Sequence, residues 1–260
     1  MTGHQDVFDL NGRAALVTGG GTHLGLAMAE ALAGHGADTY VAGRRADVIE
    51  RAAASIRAQG WSCRAVPMDI TDAEQVESVI DRIGPLDVVV CNAGANAESQ
   101  YPPSTDLDVV RSTLESHLLG TVSTANAAAK QMIGRGRGSI ITVSSVHGSL
   151  AADPRLYEGL EMSKRSSLAY QTAKAAIIGL TRNLAAEFGR FGVRVNCISP
   201  GHIPKADADR EFVERVRDGN ALGIVGEPDD MKGAVLLLAS DAGRFITGHN
   251  LIIDGGWSIW

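Results

Sequence analysis

Cysteine is scarce in this 260-residue chain: there are three, Cys63, Cys91 and Cys197, an odd number without metal-type spacing. Each sits in an apolar, strand-like run. The expectation is therefore buried free thiols in a reducing, cytoplasmic setting, not a disulfide framework. The seven histidines show no ligand spacing either, so no metal site is expected. Long apolar runs are missing: nothing reaches the roughly eighteen residues of a membrane span. The opening residues MTGHQDVFDL lack the charged-then-apolar layout of a secretory leader. A positive excess is also missing. Lys and Arg number 24 against 30 Asp and Glu, for a net charge of -6, and the basic pairs Arg44-Arg45 and Lys164-Arg165 are short. That argues against a nucleic-acid surface. No repeat, low-complexity stretch or composition break divides the chain, so one domain over 1–260 is expected.

What is present alternates. Short apolar runs read as strands over 13–18, 38–43, 62–67, 86–91, 138–144, 193–198 and 250–253. Helical spacing falls between them, near 24–34, 46–59, 72–83, 106–133, 168–189, 208–218 and 229–239. Strands separated by helices imply right-handed crossovers: a doubly wound, Rossmann-type parallel α/β sheet covered by helices on both faces. Ligands of such sheets bind beyond the carboxyl ends of the strands, where strand order reverses.

Two features bear on chemistry. Tyr170 and Lys174 stand four apart at the start of a helix-patterned run, AYQTAKAAIIGLTRNLAAEF, which stacks them on one face. An ammonium beside a phenol favours the phenolate and lowers its pKa towards neutrality, making a general acid or base for a carbonyl/alcohol pair. Tyr and Lys at this spacing are more often a solvated pair, so the context must carry the reading. Near the N-terminus, RAALVTGGGTHLGLAMAEALAGHGA reads as strand, glycine turn and helix start. Such a turn brings backbone N–H groups and a helix N-terminus to one point, a cradle for an anion.

Together these features resemble the short-chain dehydrogenase/reductase family, over nearly the whole length from about Asn11 to Trp260. The family's turn, Thr-Gly-x-x-x-Gly-x-Gly, is matched by Thr18, Gly19, Gly20, Gly21, Thr22, His23, Leu24 and Gly25, with His23 replacing a glycine. Asp69 in PMDITD, followed by Ile70, resembles the adenine-binding position. Asn92, Ala93 and Gly94 match the family's Asn-Ala-Gly, and Pro200 and Gly201 its Pro-Gly beside the nicotinamide, with Ile203 on the carboxamide side. Ser145 matches the active-site Ser; Ser144 is the alternative, expected to point to the other face of its strand. The resemblance implies hydride transfer between nicotinamide and a carbonyl carbon. Tyr170 would be the acid or base, Lys174 would tune it and bind the nicotinamide ribose, and Ser145 would hold the substrate oxygen.

The cofactor expected is NADP(H) rather than NAD(H). At the end of the second strand, where NAD-preferring proteins carry an acid, this chain has Gly43 followed by Arg44 and Arg45, and a guanidinium pairs with a 2′-phosphate. Three further departures from the family stand out besides His23. His117 occupies the place of a catalytic Asn on the long helix, and is read either as a group that holds a water and titrates near physiological pH or as a packed histidine. The segment between Ser145 and Tyr170 is longer than usual. This insertion, about 150–167, carries Arg155, Tyr157, Glu158, Glu161 and Lys164 and is read as a pocket lining or a surface excursion. A lid is expected at about 202–222. Within it, Lys205 replaces a common Thr and is read first as a solvated lysine, with an anionic or polyhydroxylated substrate as the alternative.

Three functions follow: an oxidoreductase on a polar secondary alcohol or ketone, sugar-like or carrier-linked; an epimerase with transient oxidation; or a non-catalytic nucleotide-binding scaffold. The intact Ser145, Tyr170 and Lys174 argue for catalysis. The resemblance also implies a homotetramer built on the long helices, with the apolar end Trp257 to Trp260 at a second interface.

Overall fold

The computed structural model describes residues 6–95, 100–160 and 166–260. Seven parallel strands form one sheet in the order β3-β2-β1-β4-β5-β6-β7. They are β1 Ala14–Thr18, β2 Asp38–Gly43, β3 Cys63–Pro67, β4 Val88–Cys91, β5 Gly138–Val143, β6 Val193–Pro200 and β7 Asn250–Ile253. The helices are α1 His23–Gly34, α2 Ala46–Ala58, α3 Ala73–Ile83, α4 Leu107–Leu114, α5 Gly120–Arg135, α6 Leu168–Phe188, α7 Arg210–Gly219 and α8 Met231–Ala239.

Period-2 side-chain alternation splits the core into two layers. Val88 and Val90 join the apolar residues of α1, α2 and α8 on one face. Val89 and Cys91 join those of α3, α5 and α6 on the other. Strands buried on both sides need continuous apolar runs, and VVVC in β4 is buried throughout. All three cysteines are buried and unpaired. No helix of the described residues is long and apolar enough to cross a membrane.

One element departs from its sequence expectation. The helix expected over 106–133 is not uniform: α4 and α5 are joined by a π turn over Glu115–Leu119. A π turn carries one extra residue per turn and shifts the helical face, so α4 and α5 present different registers. His117 sits inside this turn.

Strand order reverses between β1 and β4, where β1 pairs with both β2 and β4. The carboxyl ends of β1, β2, β4 and β5 therefore open on one crevice.

Candidate active site

That crevice is a cleft of about 430 Å3. At its floor, the turn after β1 folds tightly upon itself. A Cβ on Gly25 would lie 2.1 Å from the Gly19 carbonyl oxygen, so no larger residue fits without moving the turn. Asn92 fastens the turn to β4: its Nδ2 donates to the carbonyls of Thr18 and Gly19 at 3.0 and 3.2 Å. The Thr18 hydroxyl accepts from the N–H groups of Asn92 and Ala93, both at 3.0 Å. Thr22 precedes α1 without capping it by its side chain, and the first turn of α1 has no acid. The free N–H groups and positive end of α1 are thus left facing the cleft, with Gly19, Gly21, Thr22, His23, Leu24 and Gly25 lining it.

The far end of the cleft is lined by Arg44, Arg45, Asp69 and Ile70. Asp69 accepts from the N–H and hydroxyl of Thr71 at 3.0 and 2.8 Å. These bonds, the backbone one first, hold its carboxyl below the usual range against the effect of burial. Arg44 stands 4.0 Å from Asp69, with 63% of its side chain exposed. Its guanidinium, only loosely paired at that distance, leaves most of its surface open to an anion. A concave floor of donors with cations at one end suits a dinucleotide.

The other end carries the reactive groups. Ser167 caps α6, and its Oγ accepts the backbone N–H of Tyr170 at 3.2 Å. A cap of this kind contributes about 1 kcal/mol and here fixes the residue that bears the phenol. One turn on, Lys174 is buried and donates from Nζ to the Val143 carbonyl at 2.8 Å. Ser145 stands near enough to the Tyr170 phenol to act on its pKa, and its Oγ accepts the His147 N–H at 3.2 Å. Ser144 donates from its Oγ to the Lys174 carbonyl at 2.7 Å.

The electrostatics correct one expectation. Burial pushes the Tyr170 phenol above its ordinary value, opposed by the nearby Ser145. The Lys174 ammonium does not reverse this. It lies over the Tyr170 ring, 5.5 Å from the centroid, aimed at Val143, and burial lowers its own pKa to about 8.

His117 also differs from one of its two readings. Its ring meets Tyr170 edge-on, with centroids 5.3 Å apart and planes at 87°, so it does line the site. Burial, with the Lys174 charge adding to it, lowers its pKa to about 3 against a smaller opposing pull from the Ala95 backbone. The imidazole is neutral at physiological pH and does not titrate there. Neither ring nitrogen has a hydrogen-bond partner among the described residues. Gly94 makes room for it: a Cβ there would lie 2.2 Å from Nδ1.

Not every expected residue lines this cleft: Ser144 does, and Ser145 does not. Pro200 ends β6, while Gly201 and Ile203 line a second cavity of about 210 Å3 with His202, Asn220 and Trp257. Lys205 is exposed, as its first reading has it, and it also lines the dinucleotide-shaped cleft beside the glycine turn.

Beyond Ser145 a wall of rings was not anticipated. His147 meets His202 at 5.2 Å, His202 meets Trp257 at 4.6 Å and Phe212 at 6.1 Å, and Phe212 meets Tyr157 at 5.3 Å. Five separate segments supply these rings, so no local pattern announces the wall. The nearest signal is position: His147 lies two residues after Ser145, and His202 directly after Pro200-Gly201. Burial lowers the His202 pKa to about 4.

The insertion and the lid meet here. Tyr157 and Leu156 are buried, while Arg155 and Glu158 are exposed; Glu161 and Lys164 lie outside the described residues. Gln171 on α6 accepts the Ala152 N–H at 3.1 Å and donates to the Ser166 carbonyl at 2.8 Å. From α7, Arg215 donates to the carbonyls of Arg155 and Leu156 at 3.2 and 3.0 Å. Arg215→Ala removes this clasp, worth about 1–2 kcal/mol. The expected result is faster proteolytic nicking within 150–160; unchanged nicking would mean that the clasp does not hold the segment.

Known proteins match this arrangement. The family model described as Enoyl-(Acyl carrier protein) reductase matches residues 21–258. The chain is 31% identical over 268 residues to gluconate 5-dehydrogenase of Gluconobacter oxydans (strain 621H), covering 98% of each. It is 32% identical over 265 residues to galactitol 2-dehydrogenase (L-tagatose-forming) of Cereibacter sphaeroides, covering 99% of each. Its fold matches, at a TM-score of 0.88 and 30% identity over 98% of each chain, the crystal structure of a gluconate 5-dehydrogenase from Burkholderia cenocepacia J2315 in complex with NADP and tartrate. With motifs, sheet order and whole-length relatives in agreement, the chain belongs to the short-chain dehydrogenase/reductase family of NAD(P)-dependent oxidoreductases acting on CH–OH groups.

Proposed function

We propose that the protein uses NADP(H) to interconvert a secondary alcohol and its ketone on a polyol or sugar acid. The observation that carries the cofactor preference is the end of β2, where Gly43 and the partly free Arg44 line the cleft. An acid there would bind ribose hydroxyls and repel a 2′-phosphate; a guanidinium binds it. Arg44 and Arg45 would hold that phosphate, Asp69 and Ile70 the adenine, and the turn from Gly19 to Gly25 the pyrophosphate. Asn92, Ala93 and Gly94 would border the ribose, and Pro200, Gly201 and Ile203 the nicotinamide. When bound, the nicotinamide supplies or accepts the hydride.

The chain's own groups handle the proton and the geometry. A phenol held above its ordinary value is protonated at neutral pH, the form that gives a proton to a developing alkoxide. Ser145, close to that phenol, would place the substrate oxygen beside it. Lys174, anchored on Val143, keeps positive charge below the ring; it stabilises the phenolate left after proton transfer and would meet the nicotinamide ribose. The insertion, about 150–167, and the lid, about 202–222, would cover the substrate, with the ring wall as its inner face. Relatives named for gluconate and galactitol support a polyhydroxylated substrate.

The test pairs two measurements. NADP+ is expected to bind at least about tenfold tighter than NAD+, and Arg44→Asp to abolish that preference; tighter binding of NAD+ by the unaltered protein would overturn the assignment. A panel of polyols and sugar acids, followed by absorbance of the reduced nicotinamide, should reveal turnover on at least one. Silence across the panel, with tight cofactor binding, would instead point to a scaffold.

We also propose a homotetramer. Exposed Leu107, Leu119 and Leu168 on the long helices, and Phe245, Ile259 and Trp260 near the C-terminus, support two contact faces. Trp257 itself turns inward onto His202. Buried, unpaired thiols support a cytoplasmic setting.

A further inference from the structure

His23 is the one non-glycine residue with a positive φ, 52°, among the described residues. That conformation suits glycine and costs an ordinary side chain free energy, so a residue kept there has a compensating contact. The contact lies across the cleft. The imidazole of His23 lies close enough to the Ile203 backbone and to the Lys205 ammonium for both to act on it. Lys205 and His23 line the same cleft as Gly21, Thr22 and the start of α1. Lys205 forms no ion pair with any carboxylate among the described residues. An unpaired cation therefore stands opposite uncapped N–H groups, carried on the segment that leaves β6.

Resting on the cofactor reading above, we propose that His23 and Lys205 form a latch across the cleft. His23 ties the phosphate-binding turn to the segment at Ile203, and Lys205 delivers a cation to the pyrophosphate of the bound dinucleotide. The turn's lost glycine is offset by a contact from the opposite wall. The pyrophosphate is gripped from two sides, by backbone donors below and an ammonium above. The latch also links cofactor binding to the start of the lid, because Lys205 precedes α7 by only a few residues.

Equilibrium binding to ligand fragments tests this without turnover. Lys205→Ala should weaken NADP+ and ADP-ribose, which carry the pyrophosphate, about tenfold. It should leave adenosine 2′,5′-bisphosphate, which lacks it, within about twofold of the unaltered protein. The salt dependence of NADP+ binding should become shallower. In a His23→Gly background the same lysine change should cost clearly less, since the latch that positions it is gone. Equal losses on both ligand classes, no loss on either, or identical costs in both backgrounds would overturn the latch and leave the cofactor reading standing. Failure of the unaltered protein to bind any of the three ligands would overturn that reading, and the latch with it.

Discussion

Tyr170→Phe is expected to lower kcat by about 10^2 to 10^4-fold, the usual range for a lost general acid or base. Cofactor affinity and Tm should stay close to those of the unaltered protein. The change deletes one oxygen, which lies near Ser145. The ring remains, and with it the edge contact to His117 and the packing over Lys174. The helix start is untouched, because Ser167 caps it through the backbone N–H of residue 170. A side chain that only filled space would tolerate the loss, and a near-native rate would therefore exclude Tyr170 as the proton donor. The comparison is best made at saturating cofactor, so that kcat reports chemistry and not binding.

The second large effect is expected at Gly25→Ala. Its added Cβ would stand 2.1 Å from the Gly19 carbonyl oxygen and 2.6 Å from Asn92 Nδ2. The first neighbour is backbone, and the second holds the turn to β4. Neither yields without reshaping the phosphate-binding turn. Overpacking of this kind costs roughly 1–3 kcal/mol, which lowers Tm by roughly 2–10 °C in a chain of this size. Dinucleotide affinity should fall by more than about tenfold, since the displaced donors all face the cleft. Gly134→Ala is the control: it meets nothing within 4 Å on α5 and should not lower Tm. Unchanged cofactor binding by Gly25→Ala would show that the turn is softer than its packing implies.

Much of this molecule is legible in its sequence. All seven strands lie within two residues of their expected bounds, because a sheet buried on both faces demands apolar runs such as AALVT and VVVC. The catalytic helix is legible for a different reason: its apolar spacing and the Tyr170–Lys174 pair share one period. What escaped depends on three-dimensional surroundings. The π turn at Glu115–Leu119 adds one residue without changing composition. The protonation of His117 and Tyr170 follows from burial, and no spacing encodes burial. Lys205 is exposed as its sequence context suggests, but its place beside the glycine turn depends on the fold returning that segment to the cofactor cleft. The ring wall draws on segments more than one hundred residues apart.

The cap at Ser167 has a consequence for how such an enzyme diversifies. The backbone that carries the phenol is fixed at the helix boundary, and the preceding excursion reaches α6 through Gln171, at Ala152 and Ser166. If the excursion covers the substrate as proposed, exchanging it between Ala152 and Ser166 would redraw the pocket while the cap at Ser167 still holds the start of α6. New substrates would then open to the scaffold through one stretch of chain, with the reaction inherited intact.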